Sequence, residues 1–231
     1  QELNQQKKYS EAAKILEKIA ADPAVANHSM ACFILANYYF GSRKGIAKDK
    51  TKAIKYYSQV LKTSLAKAKE GDAEAQYIVG IITKRLKHKS KIAYEWMKKS
   101  AEHGYAPAQA QLAFWSMKGI GVDKVDKDKV GEWARKSSRQ GNMLGRAILG
   151  AFYLNVKKDY KKGFKLIKES ADAGNRGGQY MMYHCLYKGK GTKVDSSKAR
   201  AYLQKAADQG LDDAVTKLGM INSRKLKSKA K

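Results

Sequence analysis

The stretch KESADAGNRGGQY, residues 168–180, joins two helix-like segments through one glycine, Gly174. Nearly the same sequence stands at 98–110 (KKSAEHGYAPAQA), 135–147 (RKSSRQGNMLGRA) and 204–216 (QKAADQGLDDAVT). Their glycines are Gly104, Gly141 and Gly210, and Gly71 closes KAKEG in the same way. The five glycines are spaced by 33, 37, 33 and 36 residues. This period predicts a solenoid of two-helix units, each of which buries its apolar stripe against the next.

Each of these glycines is expected to end a helix, because the left-handed residue that closes a helix has little room for a Cβ. Eleven residues before the last four glycines stands a small or aliphatic residue, and three residues later a large one, as in Trp96 and Trp133. Since this spacing is helical, we expect both indoles to face the core between helices.

The first unit and the chain ends depart from the pattern. In the first unit the segment LAKAKEG delays the glycine to Gly71, which predicts a second helix longer by about two turns. Residues 9–23 are typical of a lone second helix, and the segment from Leu211 is typical of a lone first helix.

Three segments carry a family resemblance: FYLNVKKDYKKGFKLIKESADAG, CLYKGKGTKVDSSKARAYLQKAADQG and WSMKGIGVDKVDKDKVGEWARKSSRQG. Each resembles the latter part of a Sel1-like repeat, a relative of the tetratricopeptide repeat with a Gly-x-Gly loop between its helices. Residues 119–121 and 189–191 fit this loop, whereas residues 84–91 and 155–162 lack it. The resemblance implies an all-α, right-handed superhelical solenoid of five full repeats plus a half repeat at each end.

The expected domain organisation follows from the same glycines. We expect an N-terminal tether at 1–7, the solenoid at 8–222 and a lysine-rich C-terminal tail at 223–231. The repeat units are placed at approximately 24–71, 72–104, 105–141, 142–174 and 175–210.

The composition is strongly basic. The chain has 47 Lys and Arg against 21 Asp and Glu, a net charge of +26. Such a charge favours acidic partners. Nucleic acid is disfavoured, because only eight of the basic residues are arginine and no zinc-finger or RNP motif is present. Solubilising lysines, an acidic protein partner and an anionic lipid surface remain as readings of the charge.

Motifs for catalysis, metals and cofactors are lacking in the sequence. The four histidines fall in unrelated positions, and no HExxH, GxSxG or phosphate-binding loop occurs. Cys32 and Cys185 lie in apolar surroundings, so we expect two buried thiols. We therefore expect a non-enzymatic, monomeric protein without cofactor, metal or small-molecule substrate.

The candidate binding surface is the row of first helices, which generally lines the concave face of a solenoid. We count from the small-residue position of each first helix, which is Ala36, Gly80, Ala113, Gly150 and Tyr183. The residues three before, one after and four after this position are expected to avoid the core. The residues selected for partner binding are Phe33, Asn37, Phe40, Tyr77, Ile81, Lys84, Phe114, Met117, Tyr180, His184 and Tyr187. Aromatic side chains beside lysines are typical of protein interfaces.

Two functions fit these observations. The first is a scaffold that binds an acidic protein in its concave groove; Sel1-like proteins that act as immunity partners of secreted antibacterial effectors imply inhibition of such a toxin, for example a phospholipase. The alternative is a lysine-coated binder of anionic membrane, polysaccharide or nucleic acid. The polar start at Gln1 and the resemblance favour a periplasmic or otherwise exported location over a cytoplasmic one.

Overall fold

The computed structural model describes residues 2–25, 27–41, 45–87 and 90–229, which form twelve α-helices and one π-helical turn. The helices are α1 (Glu2–Ala21), α2 (His28–Phe40), α3 (Lys50–Lys69), α4 (Ala73–Lys87), α5 (Ser90–Glu102), α6 (Ala106–Met117), α7 (Lys127–Arg139), α8 (Met143–Phe152), α9 (Tyr160–Asp172), α10 (Arg176–Lys188), α11 (Ser196–Asp208) and α12 (Asp212–Lys229). The π-helical turn, Tyr153–Lys157, extends α8.

The helices form five pairs, α2/α3, α4/α5, α6/α7, α8/α9 and α10/α11, and each pair packs on the next. Among the first helices, α8 also contacts α6 and α10. At the ends, α1 packs on α2, and α12 packs on α11. The predicted all-α superhelical solenoid, with a lone helix at each end, is confirmed.

The turns between pairs have the predicted conformation. Gly71, Gly104, Gly141, Gly174 and Gly210 all have positive φ, between 70° and 102°. In each turn the residue after the glycine donates its N–H to a carbonyl five residues earlier, as Asn175 does to Ser170 at 3.1 Å. This bond and the left-handed glycine form the Schellman motif, which ends the helix and starts the next.

The sequence prediction placed the second-helix core one residue too early. Trp96 and Trp133 are only half-buried, and lysine side chains lie over both rings. The fully buried side chains are the next residues, Met97 and Ala134, each at 0 % exposure. They stand four residues after the buried residues Ala93 and Val130. Residues four apart lie on the same helix face, as residues three apart do. Both indoles still pack against buried core residues with part of the ring, as expected, but the residue after each one fills the core.

The first unit and the two ends of the chain can also be compared with their predictions. The longer second helix of the first unit is confirmed, because α3 has 20 residues and α5 has 13. The segment expected to be a tether is helical instead from Glu2, and the expected C-terminal tail continues α12 to Lys229. The first segment is rich in Gln and the second in Lys, and both residues are good helix formers that extend a neighbouring helix readily.

The superhelix brings its two ends towards each other. A Cβ on Gly41, directly after α2, would lie 3.8 Å from the carbonyl oxygen of Gly210 in the last turn. Lys118, directly after α6, forms an ion pair with Asp213 of α12 at 3.8 Å. Among the described residues, no helix combines the length and apolarity needed to cross a membrane.

Candidate functional site

A groove of about 550 Å³ lies on the face formed by the first helices. Side chains from α4, α6, α8 and α10 line it, and Leu211 and Asp213 at the start of α12 also contribute. The concave position follows from the repeat, because first helices stack side by side along the inner curve of a solenoid. We use "the groove" for this surface.

The floor of the groove is mainly apolar. Its apolar lining comprises Ile81, Phe114, Trp115, Met117, Leu144, Ala151, Leu154, Ile167, Tyr180, Met181, Cys185 and Leu211. Phe114 and Tyr180 are half-buried, so they pack on the core and still present one side to the groove. Aromatic groups held in this way lose little conformational freedom on binding, which suits them as anchors for a partner.

The charged side chains around this floor are nearly all basic. They are Lys84, Arg85, Lys118, Arg176, Lys188 and Lys190, with Asp213 as the acidic one. Two of the basic groups are held in place by hydrogen bonds: Arg85 donates to the Tyr57 hydroxyl at 2.7 Å, and Lys190 donates to Asn155 at 3.0 Å. The groove therefore presents positive charge above an apolar floor.

Arg176 occupies the first position of α10 and is held by the last turn. Its guanidinium donates to the carbonyls of Gln209 at 3.2 Å and Gly210 at 3.4 Å. This contact fixes the end of the solenoid against the start of α10. The positive charge of Arg176 is therefore held at a fixed position along the groove.

The electrostatic field of the groove acts on His184. Burial lowers the pKa of this imidazole, and Lys188, Lys217 and Lys118 lower it further, while Asp213 opposes them. His184 also packs edge-on against Tyr180, with ring centroids 4.8 Å apart. Because the same lysines that disfavour a cation favour an anion, a carboxylate entering the groove is stabilised there.

The predicted binding residues fall into two sets. Six of the eleven line the groove: Ile81, Lys84, Phe114, Met117, Tyr180 and His184. The other five lie outside its lining: Phe33, Asn37, Phe40, Tyr77 and Tyr187. The structure thus brings six of them together, and their role in binding a partner stays a prediction.

Three of the residues outside the groove belong to the first unit, where they are used for packing. Phe33 and Phe40 both contact the ring of Tyr57, which is fully buried. Asn37 donates to the Phe33 carbonyl at 2.7 Å and accepts from the Tyr57 hydroxyl at 3.0 Å. Arg85 lies 4.8 Å from the Phe40 ring centroid. These side chains pack within the first unit, and Arg85 connects them to the second; their role in binding a partner stays a prediction.

The other two lie outside for different reasons. Tyr77 packs between Phe33 and Tyr105, with ring centroids 6.5 and 5.5 Å away, and burial raises the pKa of its hydroxyl. Tyr187 stands at the end of α10, is 54 % exposed and stacks on Tyr183. Lys188 lines the groove instead. It stands four residues after His184, which is close to one helical turn of 3.6 residues, so the two side chains lie on the same face of α10.

Of the six basic side chains around the floor, the sequence prediction included only Lys84. Four polar residues of the lining stand five residues after the small-residue position of their units: Arg85, Lys118, Asn155 and Lys188. The residues one and five after the small-residue position are four apart, so they lie on the same helix face. The polar residues at the second of these positions were therefore a sequence signal for the lining of the groove. Arg176, Lys190 and Asp213 have no equivalent in the other units, and only the superhelical curve brings them to the groove.

The two cysteines are the other reactive side chains that the sequence singled out. Cys32 and Cys185 are buried free thiols, as expected, and burial raises the pKa of Cys185 to about 11. A thiol with a raised pKa is a poor nucleophile at neutral pH. Within the described ranges no cluster of three His, Cys, Asp or Glu side chains could hold a metal ion.

Comparison with known proteins places the chain in a family. The Sel1 repeat model matches five times, at residues 29–59, 73–105, 106–142, 144–175 and 178–211. The Sel1-repeat-containing protein YjcO of Escherichia coli is 30 % identical over 126 residues, which are 53 % of this chain and 52 % of that protein. The alignment thus spans about half the length of this relative.

Two solved structures are similar along most of this chain. The protective antigen c5321 of uropathogenic Escherichia coli, which displays an SLR fold, is 30 % identical with a TM-score of 0.52 and covers 92 % of this chain and 44 % of that one. The immunity protein Pa5087 from Pseudomonas aeruginosa is 21 % identical with a TM-score of 0.52, over 86 % of this chain and 75 % of that one. With five matched repeats, the protein belongs to the Sel1 repeat family.

Proposed function

We propose that this protein binds an acidic protein partner in the groove, and that it acts as the immunity or inhibitor partner of a secreted effector. Sel1 repeats form scaffolds for protein–protein interaction and are generally non-enzymatic. The observation that carries the proposal is the composition of the groove, in which six basic side chains and one acidic side chain surround an apolar floor.

The two parts of the groove do different work in this proposal. Half-buried anchors such as Phe114 and Tyr180 supply contacts that a partner loses only when it dissociates, so they set the dissociation rate. Exposed lysines such as Lys188 attract an acidic surface over a distance of about one Debye length, so they mainly set the association rate.

The inhibitory role rests on fold likeness together with this charge. The chain shares its fold with the immunity protein Pa5087, and an inhibitor must cover an effector surface with high complementarity. An acidic effector would be captured quickly by a chain of net charge +26. An effector delivered outside the cytoplasm requires its inhibitor there, so we also propose a periplasmic location, which cell fractionation tests.

Affinity capture from the source cell tests the proposal when it is done with paired variants. The wild-type chain should retain an acidic protein, and Tyr180→Ala and Phe114→Ala should accelerate its dissociation by an amount equivalent to at least ~2 kcal/mol. Lys188→Glu should slow association. The control is Lys62→Glu with Lys67→Glu in α3, whose exposed side chains lie away from the groove. Melting temperatures of all variants confirm that each one folds.

The opposite pattern would reject the groove as the site. If the α3 charge reversal abolished binding while Phe114→Ala and Tyr180→Ala bound as well as the wild type, the general charge would be the binding determinant. For the inhibitory role, the purified chain should suppress the activity of the captured effector, and the Tyr180→Ala variant should suppress it less.

A further inference from the structure

The two edges of the solenoid differ in charge. The loop edge comprises the segments between the first and second helix of each unit: 45–55, 84–86 with 90–92, 117–129, 154–162 and 187–198. The turn edge comprises the segments between units: 67–74, 100–107, 137–144, 170–177 and 206–213. The loop edge has 19 Lys and Arg against 6 Asp and Glu, whereas the turn edge has 4 against 8. The excess positive charge is therefore concentrated on one edge.

The loop edge also displays isolated apolar side chains. Six large apolar residues with 40–63 % exposure lie on it: Ile54, Ile92, Val125, Tyr160, Tyr187 and Val194. The described part of the turn edge has no large apolar side chain of this exposure. Each unit from the first to the fifth thus carries at least one exposed apolar tip, and lysines stand next to these tips in the sequence, as in Lys124-Val125, Tyr160-Lys161 and Lys193-Val194.

The acidic residues of the last three loop segments have local structural roles. Three are N-cap residues whose carboxylates accept backbone N–H groups: Asp126, Asp159 and Asp195. Asp123 pairs with Lys91 at 2.9 Å, and Asp128 pairs with Lys157 at 3.8 Å. Capping a helix explains an Asp at this position without a binding role. Of the twelve basic residues in these three segments, Lys118, Lys188 and Lys190 line the groove, and Lys157 and Lys198 pair with carboxylates. The excess over the five acidic residues that is left for a partner rests on the other seven lysines.

We propose that the loop edge of the third, fourth and fifth units docks on the surface of an anionic lipid bilayer. The lysines would contact the headgroups, and the tips Val125, Tyr160 and Val194 would enter the interfacial region. The first unit is left out because the end of α2 lies against the last turn near Gly210, which narrows access to its edge. The second unit is left out because its loop includes residues 88–89, which lie outside the described residues.

A bilayer fits this pattern better than a macromolecule does. Each lysine near an anionic membrane adds to the attraction, and the interface accepts single apolar or tyrosine side chains at any spacing. A protein interface instead concentrates its anchors in one packed centre, and duplex nucleic acid offers little to an aliphatic tip. One tip per unit beside lysines is thus typical of contact with a lipid surface.

Vesicle flotation with the full chain tests the charge part of the proposal. The chain should float with vesicles of phosphatidylcholine that contain about 30 % phosphatidylglycerol, and not with phosphatidylcholine alone. The triple variant Lys124→Gln, Lys161→Gln and Lys193→Gln should reduce partitioning at least ~10-fold. The control triple, Lys62→Gln, Lys67→Gln and Lys69→Gln in α3, removes the same charge away from the loop edge and should reduce it by no more than ~2-fold. None of these six lysines lines the groove.

A second set of variants tests the apolar tips. Val125→Ser, Tyr160→Ser and Val194→Ser together should reduce partitioning at least ~10-fold at constant charge. The matched control replaces three exposed apolar residues elsewhere, Ile15→Ser, Val25→Ser and Met220→Ser, and should leave partitioning unchanged. Circular dichroism and melting curves establish that both triples remain folded.

Three results would overturn the proposal. The first is absence of binding to the anionic vesicles. The second is an equal loss from both lysine triples, which would indicate a diffuse attraction by the whole surface. The third is unchanged binding by the tip triple. Retention of a duplex DNA probe by the same edge, together with the first result, would identify nucleic acid as the ligand instead. Neither Phe114→Ala nor Tyr180→Ala should affect flotation, so this surface can fail or succeed independently of the groove.

Discussion

The helices α8 and α12 are both first helices, but only α8 has a second helix packed on it. Gly150 in α8 and Gly219 in α12 each stand nine residues after a turn glycine. A Cβ on Gly150 would lie 2.7 Å from Cγ1 of Ile167 and 2.8 Å from the carbonyl oxygen of Gly163. A Cβ on Gly219 would meet no described atom beyond its own helix within 4 Å.

This difference shows what the repeat position means physically. Glycine at this position lets α8 and α9 approach closely, whereas α2, α6 and α10 carry Ala36, Ala113 and Tyr183 there. In α12 the same residue keeps the conformational cost of a helical glycine without that contact. A position shared by several repeats is therefore decisive in some of them and neutral in others.

The largest effect is expected at the contact that covers α8. Ile167 is 1 % exposed and packs over Gly150, so Ile167→Ala should lower the free energy of unfolding by ~2–5 kcal/mol. Urea unfolding followed by circular dichroism measures this change. Its control on the uncovered helix is Val215→Ala, which should cost no more than ~0.5 kcal/mol because the side chain is exposed. Equal losses would mean that α12 is covered as tightly as α8.

A smaller loss is expected from the glycine itself. Gly150→Ala should lower the free energy of unfolding by ~1–3 kcal/mol, because the new methyl group overlaps both Ile167 and the backbone of α9. The melting temperature of the purified variant reports the change. A variant as stable as the wild type would show that α8 and α9 can separate without cost, and that the close approach does not constrain the fourth unit.

The fold could be predicted from the sequence because its main signals are local. Gly104 or Gly174 ends a helix through its own backbone conformation, and the spacing between such glycines fixes the repeat. The second-helix core was harder, because a large side chain such as Trp96 fits an apolar pattern whether it is fully or half-buried. Only the neighbouring helix decides that Met97 occupies the core instead.

The groove could be predicted only in part, for a related reason. Phe114 stands one residue after the small-residue position of its unit and Tyr180 three residues before that of its own. These two positions lie on the same face of a first helix, so the sequence indicates that both residues face the same side. Arg176 and Asp213 meet them through the curve of the superhelix, which depends on small rotations summed over several units. In the first unit, Phe40 has the same phase as the groove-lining Met117 but is taken up by packing with Tyr57 and Arg85.

A gain in stability is expected at the uncovered glycine. Gly219→Ala should raise the free energy of unfolding by ~0.5–1 kcal/mol, since alanine is the better helix former and the new methyl group has open space. Thermal unfolding beside Gly150→Ala gives the comparison directly, because the same substitution should have opposite signs at equivalent positions. A loss of stability in Gly219→Ala would mean that another surface packs against α12 in solution.

The smallest effect concerns the inner side of α12, which faces the groove although its outer side is uncovered. Burial and the lysines around His184 hold its pKa below the usual value, and Asp213 of α12 opposes that shift. Asp213→Asn should therefore lower the pKa of His184 further, whereas Lys217→Gln should raise it. Titration of the His184 ring protons by NMR measures both, and equal pKa values in the two variants would mean that α12 does not act on the groove.

The same shift predicts how stability depends on pH. Because the folded protein binds a proton at His184 less readily than the unfolded chain does, the free energy of unfolding should fall as the pH decreases from the unfolded pKa of about 6.5 towards the lower folded pKa. Above that window the contribution is fully present. His184→Gln should remove this part of the slope, and Asp213→Asn should extend it to lower pH. An identical pH profile in wild type and His184→Gln would show that burial and the lysines of the groove do not lower the pKa of His184.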